Sequence, residues 1–270
     1  MKRLIVNADD YGLCPSVSEG ILSAYACGAI TDFSFMVDSR TFAEASASLG
    51  RSGIRACGIH LNLTSGRSLD GDRPLPGLKP MMRDLALGRL SAADVLREID
   101  RQMDAVIRSG LEISHVDSHQ NVHLLPFIFH HVRDRIEAEG RNVPIRIPSE
   151  RIVSPFSIPA AGLFRLGALN ILSLIPKRIR PPAVRVVGQK FFNNAEREAV
   201  LGEIAGTILS SGAELFEFPL HPGFCDCAGE SECGDSYTRM RADELSFIIR
   251  RKDYFREKGI EEVSFAGALL

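Results

Sequence analysis

The chain has 270 residues, enough for one large α/β domain or two small ones and far beyond a disulfide-stapled mini-protein. Hydrophobic residues at 45% and charged ones at 24% are globular values that exclude disorder, and 32 Lys+Arg against 34 Asp+Glu leave a net charge of −2, which excludes a surface built to coat nucleic acid. With no Trp and aromatics at 7%, base-stacking platforms and aromatic sugar-binding walls lack material.

In chain order, short apolar runs alternate with segments of helical period, and no Pro/Gly/Ser linker separates two halves, so a single domain over 1–270 is predicted. Strands are expected at Leu4–Ala8, Asp32–Val37, Ala56–Asn62, Ser114–Asp117, Ile145–Pro148, Ala183–Val187, Glu214–Leu220 and Glu262–Phe265. Helices are expected at Ser16–Cys27, Ser39–Leu49, Ser91–Ser109, Pro126–Glu139, Ala160–Ile175, Glu196–Ser211 and Ala242–Lys258. Strand–helix alternation belongs to an all-parallel sheet, doubly wound or closed, and roughly eight strands in this length favour a (β/α) barrel. Ser91 with Asp94 supplies a helix start and Gly110 a stop, while Val95, Ile99, Met103 and Val106 or Ile107 form a core stripe. The Gly-, Pro- and Ser-rich stretches at 64–90 and 224–238 lack periodicity and are expected as rim loops, walling or lidding a substrate site.

Cysteines at 14, 27, 57, 225, 227 and 233 do not have the spacing of a disulfide framework, so reduced thiols are expected. Asn7–Asp10 interrupts the apolar start too early for a signal peptide, and runs such as Ala168–Pro176 are too short to cross a bilayer. The expectation is a soluble, cytoplasmic protein with no transmembrane segment; the sequence leaves a homodimer open.

Candidate chemistry clusters at predicted strand ends. Asn7-Ala8-Asp9-Asp10-Tyr11-Gly12 closes the first strand with adjacent carboxylates. Neighbouring strand residues point to opposite faces, so both acids reach one pocket only if the backbone turns there, which Gly12 permits; Asp-Asp close to a glycine is equally an ordinary turn. His60 and Asn62 share a face of the third strand, where a lone His is more often a hydrogen-bonded core residue than a ligand. In the fourth, His115, Asp117 and His119 share parity, and His119 and His123 would converge if the chain turns helical. Imidazole with carboxylate is the ligand set of divalent metals, while His115 and Asp117 equally fit groups that orient a ligand. His130 and His131 read as helix-surface or packing residues. His221, between Pro219 and Pro222, is placed for acid–base work. Cys225, Cys227 and Cys233 lack the paired two-residue gaps of zinc ribbons and read as loop thiols rather than as a structural zinc site with His221.

Together, Asn-Ala-Asp-Asp-Tyr-Gly at 7–12, Gly-Ile-His-Leu-Asn-Leu-Thr at 58–64, His-Val-Asp-Ser-His-Gln-Asn-Val-His at 115–123 and Leu-His-Pro-Gly at 220–223 resemble the YdjC-like carbohydrate deacetylases. The resemblance spans nearly the whole chain in order. It implies a distorted TIM-like barrel, one divalent metal usually assigned as magnesium, and removal of N-acetyl groups from an amino sugar or short oligosaccharide. By position it implies Asp10, His60 and His119 as metal ligands, Asp9 as general base and His221 as catalytic acid, with His115, Asp117, His123 and Asn62 orienting ligands or meeting substrate. Gln120 and Asn121 depart from the family, which often has histidines there. A metal held by one carboxylate and two neutral imidazoles keeps positive charge to acidify water and polarise a carbonyl, and imidazoles suit zinc or cobalt as well as magnesium. The alternatives are another metallohydrolase on the same barrel, a phosphoesterase or amidohydrolase, and a non-catalytic sugar- or metal-binding protein.

Overall fold

The structure is a computed structural model that describes residues 1–148, 171–174, 176, 184–189, 191, 196–224 and 238–269. Most of the helix predicted over 160–175 and the cysteines at 225, 227 and 233 lie outside the described residues.

The order is β1 (Arg3–Tyr11), α1 (Pro15–Ala26), β2 (Asp32–Met36), α2 (Phe42–Arg51), β3 (Ala56–Leu61), α3 (Leu78–Ala86), α4 (Ala92–Arg108), β4 (Glu112–Ser118), a 3₁₀ segment (His119–Leu124), α5 (Pro126–Ala138), β5 (Arg185–Val186), α6 (Arg197–Ser210), β6 (Leu215–Leu220), α7 (Thr238–Arg250), α8 (Tyr254–Glu257), β7 (Glu261–Glu262) and α9 (Phe265–Leu269). All described strand pairs are parallel, in the order β4-β3-β2-β1-β6-β5, and the sheet curls into a half-barrel flanked by helices. β1 lies at its centre: Arg3–Leu4 pair with β7 on one edge, Asn7–Tyr11 pair with β2, and the other edge follows β6. Near-continuous burial of β1 to β3 fits strands covered on both faces.

Local chemistry sets the boundaries. Pro15 opens α1 at a position where its missing N–H costs no hydrogen bond. Ser91 Oγ accepts the Asp94 N–H at 3.0 Å to cap α4, whose buried stripe is Val95, Ile99, Met103 and Val106, and Gly110 leaves the helix at φ +81°. Tyr11, Phe33 and Phe35 pack edge-on or tilted at 5.1–5.2 Å in the core.

Several expectations are corrected. The strand predicted over 145–148 shrinks to a single bridge between Ile145 and Val116. Leu78–Ala86 is a helix within the predicted loop 64–90, with Met81 as its buried anchor. The helix predicted over 242–258 starts earlier, at Thr238, and breaks into α7 and α8. The last strand ends before Phe265, because the Phe265 N–H opens α9 by donating to Asp32 Oδ2 at 3.0 Å. Cys27 and Cys57 are free thiols, but Cys14 is disulfide-bonded, against the expectation of reduced thiols. No described helix is long and apolar enough to cross a membrane.

Candidate active site

The end of β1 turns as its sequence permits. Asp10 itself adopts the left-handed conformation at φ 72°, Gly12 follows at φ 95°, and the β1–β2 register slips between Ala8 and Tyr11. A Cβ on Gly12 would lie 2.5 Å from Met36 O, so this turn admits glycine alone. The twist brings Asp10 into the same pocket as Asp9.

There Asp10 Oδ1 lies 3.0 Å from His60 Nε2 and 2.9 Å from His119 Nδ1, and the three ligand atoms fall within 4.8 Å of one another. His60 is held from behind: its Nδ1 is 2.8 Å from Asp117 Oδ1, and Asp117 Oδ2 accepts from Ser34 Oγ at 2.9 Å. With Nδ1–H donated to Asp117, the lone pair of Nε2 faces the Asp10 oxygen, and this buried nitrogen has no well-aligned hydrogen-bond partner among the described residues. Two lone pairs aimed at each other require a positive species between them, a proton or a cation. In the cation-free protein the proton serves: burial lowers His60, but Asp117 and Asp10 outweigh it and raise the imidazole to about 10. Burial likewise acts to raise Asp10, yet His119 and Arg241 hold its carboxyl well below the usual range. Asp10, His60 and His119 therefore fit a divalent cation, with Asp117 orienting His60.

His119 heads the 3₁₀ segment, where Gln120 and Asn121 adopt left-handed φ of 55° and 57°. Asn visits that region readily, so this departure from the family coincides with a sharp turn that redirects His119 after β4 ends.

Asp9 is held by a residue that sequence reasoning did not single out. Arg146 Nη1 and Nη2 bind its two oxygens at 2.6 and 2.8 Å, Nη2 lies 2.8 Å from Asp117 Oδ2, and Nε donates to Glu217 Oε1 at 2.7 Å. Burial acts to lower this guanidinium, but Asp117, Asp9 and Glu217 hold it well above its ordinary value. Burial pushes Glu217 up to about 7 against the pull of Arg146. The available signal was a charge inside an apolar strand-like run, Ile145-Arg146-Ile147 and Phe216-Glu217-Phe218. His221, at the end of β6, keeps its side chain 24% exposed with Nε2 3.9 Å from Asp9 Oδ2, and burial lowers it to about 4 despite Asp9 and Asp10.

The remaining candidates stand behind the pocket. His115 lies flat on Phe265 at 3.8 Å, with Nδ1 2.9 Å from Ser114 Oγ, and burial lowers it to about 3. His123 Nε2 donates to the Arg146 carbonyl at 2.7 Å, with Nδ1 against Ser118 Oγ, so it fixes the backbone that carries Arg146. Asn62 is absorbed by a turn: Oδ1 accepts from Thr64 N and Ser65 N, and Nδ2 donates to Ser65 O. His131 pairs with Asp100 at 2.8 Å between α5 and α4, the packing role expected of it.

Comparisons with known proteins bear on the family and the fold. The profile of the family described as YdjC-like protein matches residues 3–253. A carbohydrate deacetylase of Brevibacillus brevis is 34% identical over 98% of both chains, and one of Enterococcus faecalis is 26% identical over 96% of this chain and 95% of the relative. A chitooligosaccharide deacetylase of Enterobacter sp. is 28% identical over 83% of each. In fold, the chain resembles the crystal structure of a proposed cellobiose-phosphate cleavage protein from Enterococcus faecalis, with a TM-score of 0.73 at 22% identity over 99% of this chain and 98% of that one. With one profile spanning β1 to α7 and a relative above 30% identity matched end to end, the chain belongs to the YdjC-like family.

Proposed function

We propose that the protein hydrolyses the N-acetyl group of an amino sugar or short oligosaccharide, with one divalent cation held by Asp10, His60 and His119. The observation that carries this reading is the convergence of those three side chains beside Asp9 and His221; the names of the full-length relatives support the substrate class. A divalent cation bound there would acidify a water and polarise the acetyl carbonyl. Magnesium follows from the resemblance, and the two imidazoles equally suit zinc or cobalt.

The chain's own residues supply the proton path. Arg146 and Asn7, whose Nδ2 donates to Asp9 Oδ1 at 2.8 Å, fix Asp9 as an acceptor facing the pocket. Burial lowers the His221 imidazole to about 4, so near pH 7 it starts neutral and must gain a proton before it can act as the acid. It receives from Asp9 the proton released as water attacks, once the 3.9 Å between them closes to hydrogen-bonding distance or is bridged by a water, and delivers it to the departing amine. Amine departure without that proton would be slow, so His221 and Asp9 act in succession on one proton. The loop after β3 is braced as a wall: Glu98 accepts from Leu69 N and Asp70 N, and Asp38 from Arg67 N.

The alternative metallohydrolases, phosphoesterase or amidohydrolase, usually bridge two metals, and a second metal is disfavoured here by charge. Among the described residues two further acid–imidazole groupings exist, Asp9/His60/Asp117 and His115/Asp117/Glu217, but the Arg146 guanidinium already occupies both. The test is acetate release from N-acetylglucosamine oligomers, with calorimetric titration of metal. One equivalent bound, activity abolished by chelator, and His221→Ala lacking turnover while keeping the metal are expected. Turnover that survives complete metal removal refutes the reading.

A further inference from the structure

The proton path above leaves a buried charged pair on α7 without a role. Arg241 and Glu244 sit three residues apart on that helix and are 2% and 0% exposed. Arg241 Nη2 donates to Asp10 Oδ2 at 2.7 Å, and its Nη1 donates to the His221 carbonyl at 3.3 Å. Glu244 accepts from the backbone N–H of His221, and the Arg241 carbonyl accepts from Gly223 N at 3.3 Å. One helical turn thus grips His221 by both its N–H and its C=O, and the same guanidinium reaches the carboxylate that faces His60 and His119. Burying a guanidinium and a carboxylate is costly, and packing a loop against a helix requires neither.

We propose that Arg241 and Glu244 are positioning residues that fix the His221 ring relative to Asp10, so that the proton donor and the cation act on the same amide. This rests on the reading of His221 as the donor to the departing amine. Asp10 is the hinge of the arrangement: Oδ1 turns to the imidazoles, and Oδ2 is held by Arg241, which gives the carboxylate a single orientation.

The experiment compares amide and ester. An N-acetylglucosamine oligomer needs a proton on its leaving amine; p-nitrophenyl acetate releases a phenolate that does not. Glu244→Leu is expected to lower kcat on the amide by about tenfold or more with KM little changed, and to leave the ester rate within about twofold. Glu244→Gln, which keeps an acceptor for His221 N–H, restores amide turnover. Arg241→Lys keeps the charge but cannot span Asp10 and the His221 carbonyl; because it also loosens Asp10 it lowers both rates, the amide rate further, and it serves if Glu244→Leu fails to fold. In the metal-free protein, the imidazole ¹⁵N signals of His221, assigned by their disappearance in His221→Ala, shift in these variants while those of His123 do not. Equal loss on both substrates, or unmoved His221 signals, overturns the positioning role. Unaltered amide turnover in His221→Ala overturns the proposed donor instead, so the two failures are distinguishable.

Discussion

Replacing Arg146 by methionine keeps an unbranched apolar stem and removes the only positive charge that contacts Asp9, Asp117 and Glu217 together among the described residues. All four groups are buried, so water cannot screen what is left behind. Leaving buried charge uncompensated costs about 3–5 kcal/mol. At about 2.1 cal/mol/K per residue, unfolding 270 residues carries an entropy near 0.6 kcal/mol/K, so Tm is expected to fall by about 5–8 °C. The loss depends on pH with a definite sign. In the parent protein, burial acts to raise Asp117, but Arg146 and His60 hold it well below the usual carboxylate range, so its stabilising contribution is present above that range and lost as pH falls. Without Arg146, burial is opposed mainly by His60, so the carboxylate is expected to rise and the parent's advantage to grow as pH climbs. The difference between parent and variant therefore widens from about pH 4 to pH 8. Calorimetric scans across this range provide the measurement. A loss under about 1 kcal/mol, or a gap equal at pH 5 and pH 8, refutes the view that Arg146 neutralises the acids beneath the site.

Burial pushes Asp32 up to about 7, against the N–H groups of Phe265 and Phe33 that it accepts. A carboxylate raised on folding stabilises below its unfolded pKa and loses that contribution as pH rises through 7, an upper limit of roughly 4 kcal/mol. Asp32→Asn should therefore gain on the parent between pH 5 and 8 in urea unfolding, and parallel curves would contradict the assigned ionisation. A Cβ at Gly58 would meet His115 Cε1 at 2.2 Å, and that ring is pinned between Ser114 and Phe265. Gly58→Ala should cost about 1–3 kcal/mol. In a His115→Ala background the cost should shrink, and strict additivity in the double-mutant cycle would show that the ring is not the obstacle.

Much of this protein is legible in one dimension. Parallel α/β alternation follows from apolar period, and the Ser91 cap and Gly110 stop from local hydrogen bonding, because these depend on neighbours within a few residues. The carboxylate pair and the imidazoles were also visible, since strands carry their chemistry at their C-terminal ends, and the four motifs in order identified the family. Tertiary structure decided the rest. That the adjacent Asp9 and Asp10 face one pocket depends on a left-handed Asp10, a conformation imposed where Gly12 packs against β2. Which helices cover 78–86 and where α7 begins were set by packing rather than by periodicity. Arg146 lies 137 residues from Asp9, and Arg241 lies 231 from Asp10. The partner of a buried charge is chosen by where strands and helices meet in space, and no sequence period records that meeting.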